Sequence, residues 1–470
     1  MTTKQNKNIN LFFSSAFGLQ YLCLLFYSLS DVVGSTYWNI RYTDNGDLWA
    51  DFTKWFPSFN DPSNFTEKIS IFPILRRFDR DYFNYLRGGS PYTNDPQKIS
   101  DHLSNFHMPP FSGLFSKFVS FLSVNIGPST VYSLFLLTFF GFLIYQLIKN
   151  RSSIGISKVS SFLLCFLIIF DYPMQFAITK GNTGSIISTV SLICSAIFMS
   201  SNKKKEGLYC SIFASLNRPN LIFLPLLISL NFKPIIKGNF PSQIKKYGNG
   251  LICLVGFYLL NSTNQFILWL IDRNYSFENF KVALKTYHEM MAYGDSGIAF
   301  GSALLGFLKL FFKPFLGLNF RTELPDIAVS ILLYACLLIG TFLSFYVLVK
   351  FKNKSMSFEV AWISLICLNL ILTPVFADYH LSIFISSLIL YLSSRNKVVA
   401  ENMRHTLMIK ERIFYIYTAV MIAPWQIYVA PSALPYGLGA LIRPVFTAII
   451  LFWIFTNSKK VFLKKTELIS

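Results

Sequence analysis

Gly207-Leu208-Tyr209-Cys210-Ser211-Ile212-Phe213-Ala214-Ser215-Leu216-Asn217-Arg218-Pro219-Asn220-Leu221-Ile222-Phe223-Leu224-Pro225-Leu226-Leu227-Ile228-Ser229-Leu230-Asn231 decides how this chain folds. The stretch runs between two basic clusters, Lys203-Lys204-Lys205 before it and Lys233, Lys237, Lys245 and Lys246 after it. A straight helix of this length, rising ~1.5 Å per residue, would cross a ~30 Å hydrocarbon core once and leave the clusters on opposite sides. Short loops rich in Lys and Arg stay on the cytoplasmic face, so both clusters belong on one side. The middle, Asn217-Arg218-Pro219-Asn220, is polar and contains a helix breaker. The stretch therefore reads as two short helices in a hairpin with Arg218 near the tip. Irregular backbone at that depth is tolerated where it lines a protein-buried or wet cavity. The alternative is one ordinary kinked helix and a misjudged loop, which would invert every later span.

The same charge rule orders the rest of the chain. Further basic clusters stand at Lys4/Lys7, Lys149/Arg151/Lys158, Lys350/Lys352/Lys354, Arg395/Lys397/Arg404/Lys410/Arg412 and Lys459/Lys460/Lys464/Lys465. With all of them cytoplasmic, residues 11–33 go out, 128–148 return, 156–173 go out and 184–201 return. After the hairpin, 247–270 go out, 325–349 return, 357–376 go out, 381–394 return, 413–432 go out and 435–456 return, with both termini cytoplasmic. Residues 11–33 are too long for a signal-peptide core and lack a convincing small-residue cleavage site, so they count as the first span. Two outer regions result: 35–127, expected to lay amphipathic helices on the membrane surface, and 271–324, holding Asp272, Glu278, Glu289 and Asp295. The expectation is one all-α polytopic domain over residues 1–470, with about 10–12 transmembrane or re-entrant helices.

Composition agrees with that reading. The chain is 53% hydrophobic and 14% charged, against about 25% charged in soluble domains. Its net charge of +19 sits in short loops between apolar runs rather than on one continuous face, which argues against nucleic acid as a partner. All seven cysteines lie in apolar runs and none forms a Cys-x-x-Cys pair, so they read as buried thiols. There is no Gly-x-Gly-x-x-Gly and no P-loop, and the longest cytoplasmic loop, about Arg395 to Arg412, is too short for a nucleotide-binding domain. Carboxylate spacing is tight only at Asp79-Arg80-Asp81, read as solvated surface, so the reading requires no metal and no other cofactor, and metal dependence stays open at this point.

Chemistry concentrates outside. Between Ser35 and Met108 the chain gathers Asp44, Asp47, Asp51, Asp61, Glu67, Asp79, Asp81, Asp95 and Asp101, interleaved with Trp38, Trp49, Trp55, Tyr82, Tyr85 and Tyr92. A mere connection needs far fewer residues. On the same expected side lie His107, Lys180 with Gly181-Asn182, Asp295 and Asp378-Tyr379-His380, and Arg218 points towards them from its hairpin. Ionisable groups at a membrane boundary are costly and mark a site. A carboxylate such as Asp51, with Asp47 the next choice, can take the proton of an attacking hydroxyl. Lys, Arg and His can stabilise charge gathering on a departing phosphate. Each residue has a plainer reading as well. Asp51 is one solvated acid among many, Lys180 can snorkel at the interface, and Arg218 can serve a structural ion pair. His380 can cap or fill the core, and the neighbourhood of His107 can matter only for its Pro-Pro turn.

The order of these motifs resembles the GT-C glycosyltransferases, most closely the family-87 group of polyprenol-phosphate-mannose-dependent mannosyltransferases. The matching stretches are Asp51-Phe52-Thr53-Lys54-Trp55-Phe56, His107-Met108-Pro109-Pro110-Phe111, Lys180-Gly181-Asn182-Thr183-Gly184, Arg218-Pro219 and Thr373-Pro374-Val375-Phe376-Ala377-Asp378-Tyr379-His380. They span about residues 10–395. The chain departs from the family in lacking Gln after Gly181, in carrying Arg218 for Lys, and in lacking Trp before His380. The resemblance implies a GT-C-like helix bundle with its active site on the outer face of a bacterial inner or plasma membrane. It implies inverting transfer of a hexose, mannose or glucose, from a polyprenyl-phosphate-linked co-substrate to a hydroxyl of a glycan or glycolipid acceptor. Asp51 would be the general base, and Lys180, Asn182, Arg218, His380, His107 and Asp378 would face the donor phosphate. The partners are then the lipid-linked donor, the acceptor and membrane lipids.

Two other classes fit parts of the pattern. A lipid or solute transporter would share the broken helices at mid-membrane, but the halves show no duplication. A polymerase or ligase of polyprenol-linked glycans would be expected to use outer-loop arginines, and Arg76, Arg77, Arg80 and Arg87 flank the acids without a clear pattern.

Overall fold

The computed structural model describes residues 9–22, 38–40, 109–115, 118, 122, 128–180, 182–235, 241–271, 326–372, 378–399, 407–423, 427–429 and 439–461. In chain order these form helix α1 (residues 9–22), strand β1 (Trp38–Ile40), α2 (residues 110–115), α3 (Pro128–Lys149), α4 (Arg151–Ile154), α5 (Lys158–Phe170), α6 (Tyr172–Lys180) and α7 (Thr183–Ser200). There follow α8 (Lys204–Asn217), a 3-10 turn (Pro219–Leu221), α9 (Phe223–Leu230), α10 (Ser242–Ile271), α11 (Asp326–Lys352) and α12 (Phe358–Leu372). The last elements are a second 3-10 turn (Asp378–Ile383), α13 (Phe384–Val399), α14 (Leu407–Ile422), strand β2 (Ile427–Val429) and α15 (Gly439–Val461).

The deciding stretch folds back on itself. Helix α8 stops at Asn217, Arg218 adopts an extended conformation (φ −143°, ψ 90°), and Pro219 opens the 3-10 turn that leads into α9. Proline has no N–H for α8 to continue on and disfavours helix at the residue before it. The return is fixed at the other end, where Lys204 Nζ at the start of α8 donates to the carbonyl of Asn231, just past α9, at 3.3 Å. A hairpin returning to its own side accounts for that contact, and a single crossing does not.

Helix α7 is the axis of the bundle. Every residue from Thr183 to Ser200 is buried, and α3, α6, α8 and α13 pack around it. Its polarity is absorbed locally, as Ser200 Oγ donates to the Ala196 carbonyl at 2.8 Å and Ser195 Oγ to the Gly207 carbonyl of α8 at 2.6 Å. Gly207 permits that approach, since a Cβ there would lie 2.9 Å from the sulfur of Met199. Small residues and hydroxyls joining helices are how association proceeds where lipid removes the hydrophobic drive.

The outer helices show the opposite character. Phe342 is 70% exposed on α11 and Tyr258 72% on α10, and both helices turn long rows of apolar side chains outward. Water would penalise such a belt, whereas a bilayer solvates it. Among the described residues, four helices are long and apolar enough to cross a membrane, by length and composition: Thr130–Lys149, Thr183–Ser200, Ser242–Ile271 and Tyr334–Lys352. The chain is a mostly helical membrane protein.

Several expected spans are shorter than anticipated. Residues 156–173 break at Asp171 and 381–394 begin in a 3-10 turn, while of the expected span 357–376 residues 373–376 lie outside the described residues. Residues 413–432 end as α14 at Ile422, ahead of Ala423-Pro424. The chain also departs from a purely helical expectation. Strands β1 and β2 pair antiparallel, with Trp38 opposite Val429 and Ile40 opposite Ile427. This ladder ties the region after α1 to the connection between α14 and α15.

The basic loops meet at one end of the bundle. Lys203 Nζ reaches Asn150 Oδ1 at 3.5 Å, Lys352 Nζ donates to the Leu230 carbonyl at 2.9 Å, and Lys246 bonds Asn353. Ser393 of α13 donates to the Ser153 carbonyl at 3.2 Å at the same end. Lys352 and Lys204 thereby answer carbonyls left open at the C-terminus of α9. From that end α8 and α5 rise only ~20 Å before they stop, short of a ~30 Å hydrocarbon core.

Candidate functional site

The short helices stop around a polar cluster at the end opposite the lysines. Asn182 caps α7, its Oδ1 accepting from the Ser185 N–H at 2.9 Å and from the Ser185 hydroxyl at 2.7 Å. The one hydroxyl proton of Ser185 is thereby donated, so its oxygen is left to accept from His380 Nδ1, 3.0 Å away, and from Arg218 Nη2, 3.4 Å away. Arg218 and His380 themselves touch, guanidinium against imidazole. His380 is buried in its 3-10 turn, while Arg218 is half-buried at the hairpin tip.

Further contacts hold this group in place. Two hydrogen bonds join Asn220 and Asn369, Asn220 Nδ2 donating to Asn369 Oδ1 at 2.5 Å and Asn369 Nδ2 to the backbone carbonyl of Asn220 at 3.2 Å. Asn369 lies in the apolar helix α12, where an unpaired amide would be costly. Ser112 Oγ donates to Asn217 Oδ1 at 3.1 Å, and Phe111 packs edge-on against Phe213, with ring centroids 5.2 Å apart. The Pro109-Pro110 stretch thus docks beside the hairpin tip. On the other flank, Asp171 accepts from Ser382, two residues beyond His380.

Of the residues singled out in the sequence, the fold brings Asn182, Arg218 and His380 together. The backbone places Lys180 as the last residue of α6, two before Asn182, and Asp378 as the first of the turn that carries His380. Asp51, Asp47, His107 and Asp295 lie outside the described residues. Sequence reading missed Ser185, Asp171, Asn369 and Ser382, and took Asn217 and Asn220 only as the polar middle of the hairpin. Two of these carried a local signal: Asp171 precedes Tyr172-Pro173, a helix start, and Ser185 stands three after an Asn cap. Arg443 was missed as well. It is 1% exposed, donates to the Ala423 carbonyl at the end of α14, and lies one turn before Thr447, which bonds Tyr417 at 3.0 Å.

A guanidinium and an imidazole at the N-terminus of a buried helix form a surrounding suited to an anion. Asn182 caps the Ser185 N–H, but the helix start still presents the positive end of its dipole, and arginine matches the oxygens of a phosphate. Among the described residues, no group of three or more His, Cys, Asp and Glu is placed to hold a metal ion. Comparison of the chain with family models, curated proteins and solved structures found no match, so its functional reading rests on this cluster and the motifs that build it.

Proposed function

We propose that this chain is a membrane glycosyltransferase that moves a hexose, mannose or glucose, from a polyprenyl-phosphate-linked donor to a hydroxyl of a glycan or glycolipid acceptor. The observation that supports the reading most is the meeting of Arg218, His380 and Ser185 at the start of α7, on the end of the bundle away from the lysines. In the transfer, the bond from the sugar carbon to the phosphate oxygen breaks and a bond from that carbon to the acceptor oxygen forms. Asp51 takes the acceptor proton. The electron pair leaves with the lipid phosphate, whose growing charge Arg218 and His380 stabilise. Asn182 orients Ser185, and the motif resemblance gives Lys180, His107 and Asp378 a part in holding the same phosphate. With the lysine end cytoplasmic, the site opens on the outer face.

The test is incubation of purified protein with a panel of polyprenyl-phosphate monosaccharides. Release of polyprenyl phosphate with transfer of the sugar is expected. Elongation only from an oligosaccharide-diphosphate lipid would make the chain a polymerase or ligase. Passage of an intact lipid or solute across vesicles, with no bond broken, would make it a transporter.

A further inference from the structure

Asp171 is a buried acid that the proposed reaction leaves unused. It is 0% exposed and stands at the break between α5 and α6. Its Oδ1 accepts from the Met174 N–H at 2.7 Å, which starts α6, and from the Ser382 hydroxyl at 2.8 Å, with the second oxygen 3.0 Å from the same hydroxyl. Its backbone carbonyl accepts from the Gln175 N–H at 3.0 Å. One carboxyl group therefore governs two elements. Helix α6 runs from Asp171 to the turn in which the Asn182 N–H donates to the Ala177 carbonyl at 2.9 Å, and so it sets where Asn182 and Ser185 stand. Ser382 belongs to the turn of His380, and α6 packs along that turn.

We infer that Asp171 is a positioning residue: through Ser382 and through α6 it holds the His380 imidazole and the Asn182–Ser185 pair in one register against Arg218. A helix cap alone needs only the bond to Met174. The bond to Ser382 joins segments 211 residues apart, and both segments end at the same cluster. The effect on turnover rests on the glycosyltransferase reading, whereas the geometric statement does not.

The experiment therefore reads geometry first. The full chain, in detergent or nanodiscs, carries isotope-labelled histidine side chains, and His380→Gln identifies one signal among the five histidines. Ser382→Ala should displace the His380 imidazole signal, Asp171→Ala should displace it at least as far because it also frees the start of α6, and the double variant should add nothing to Asp171→Ala. Asp171→Asn should leave it near its native place, because a single amide oxygen can serve both donors as Oδ1 does now. The other four signals should stay. A native His380 signal in folded Ser382→Ala protein overturns the inference, and so does a common shift of all five. If Asp171→Ala does not fold, Ser382→Ala decides alone. Where transfer is measurable, Ser382→Ala should lower kcat several-fold more than it raises the donor KM, with Asp171→Asn close to native. Absence of transfer in the native protein would overturn the glycosyltransferase reading while leaving the imidazole test standing.

Discussion

The two ends of the bundle use positive charge differently. At one end Lys203, Lys204, Lys246 and Lys352 lie half-buried along helix ends and donate to carbonyls and amides of neighbouring loops. At the other, Arg218 meets His380 and Ser185 within a shell of amides and hydroxyls. The lysines can keep their heads near water on flexible stems. The arginine is carried to its place by a proline-broken hairpin and is half-buried there. All of these cations are half-buried, so what separates the ends is what each cation meets: on the proposed reading Arg218 serves a site, and the lysines fasten the loops.

The most complete way to break this comparison is to ask whether the two ends face different compartments. Cysteines introduced beside Lys204, Lys245 and Lys352 should resist a membrane-impermeant thiol reagent applied from outside. One beside Asn182 or His380 should react. Labelling at Lys245 from outside would reverse the assignment of the ends.

Next in size comes the chemistry. Asp51→Asn keeps the shape of the side chain and removes its basicity, so transfer should fall by about 10²–10⁴ while the donor still binds. Asp47→Asn should be milder. A dead Asp47→Asn beside an active Asp51→Asn would move the base four residues upstream. Arg218→Ala should cost about 10²–10³ in kcat, the usual loss of one preorganised donor. Near-native turnover in folded Arg218→Ala protein would return Arg218 to a structural role and remove the contrast between the ends.

How much of this was legible in the sequence depended on the distance over which each signal acts. The hairpin was legible because lysine clusters on both sides constrain it and Pro219 breaks it, all within about thirty residues. Residues Asn182, Arg218 and His380 were legible as polar groups at the ends of apolar runs. The partners that fix them were not. Asn369 reads as one polar residue in an apolar helix, and nothing local pairs it with Asn220, 149 residues away. The end of α14 was misplaced because the run 413–432 stays apolar across Pro424, although proline forbids what hydropathy allows. The β1–β2 ladder joins segments far apart in the chain, each too short to announce itself. The Asn220–Asn369 exchange gives a mid-sized test of such invisible partners. Asn369→Ala deletes two bonds and leaves the Asn220 groups at the hairpin tip without them. It should destabilise the folded protein by about 1–3 kcal/mol, read as a lowered midpoint of thermal unfolding, and should also reduce turnover by loosening Arg218.

The smallest expected effect lies at the lysine end and is the more telling for that reason. Lys204 Nζ stands 3.3 Å from the Asn231 carbonyl and 3.5 Å from its Oδ1, so one ammonium serves both acceptors of a single residue. Lys204 is half-buried, and water is at hand to replace what is lost. Its removal should therefore cost about 1 kcal/mol or less. The hairpin would keep its course, because Pro219 and the packing of α8 on α7 still direct it. Lys204→Ala should thus lower the unfolding midpoint slightly and leave transfer within about twofold of native, where Arg218→Ala on the same hairpin is crippling. Equal losses from the two variants would mean that charge acts alike at both ends, and that the hairpin transmits its base to its tip rather than separating a fastening from a site.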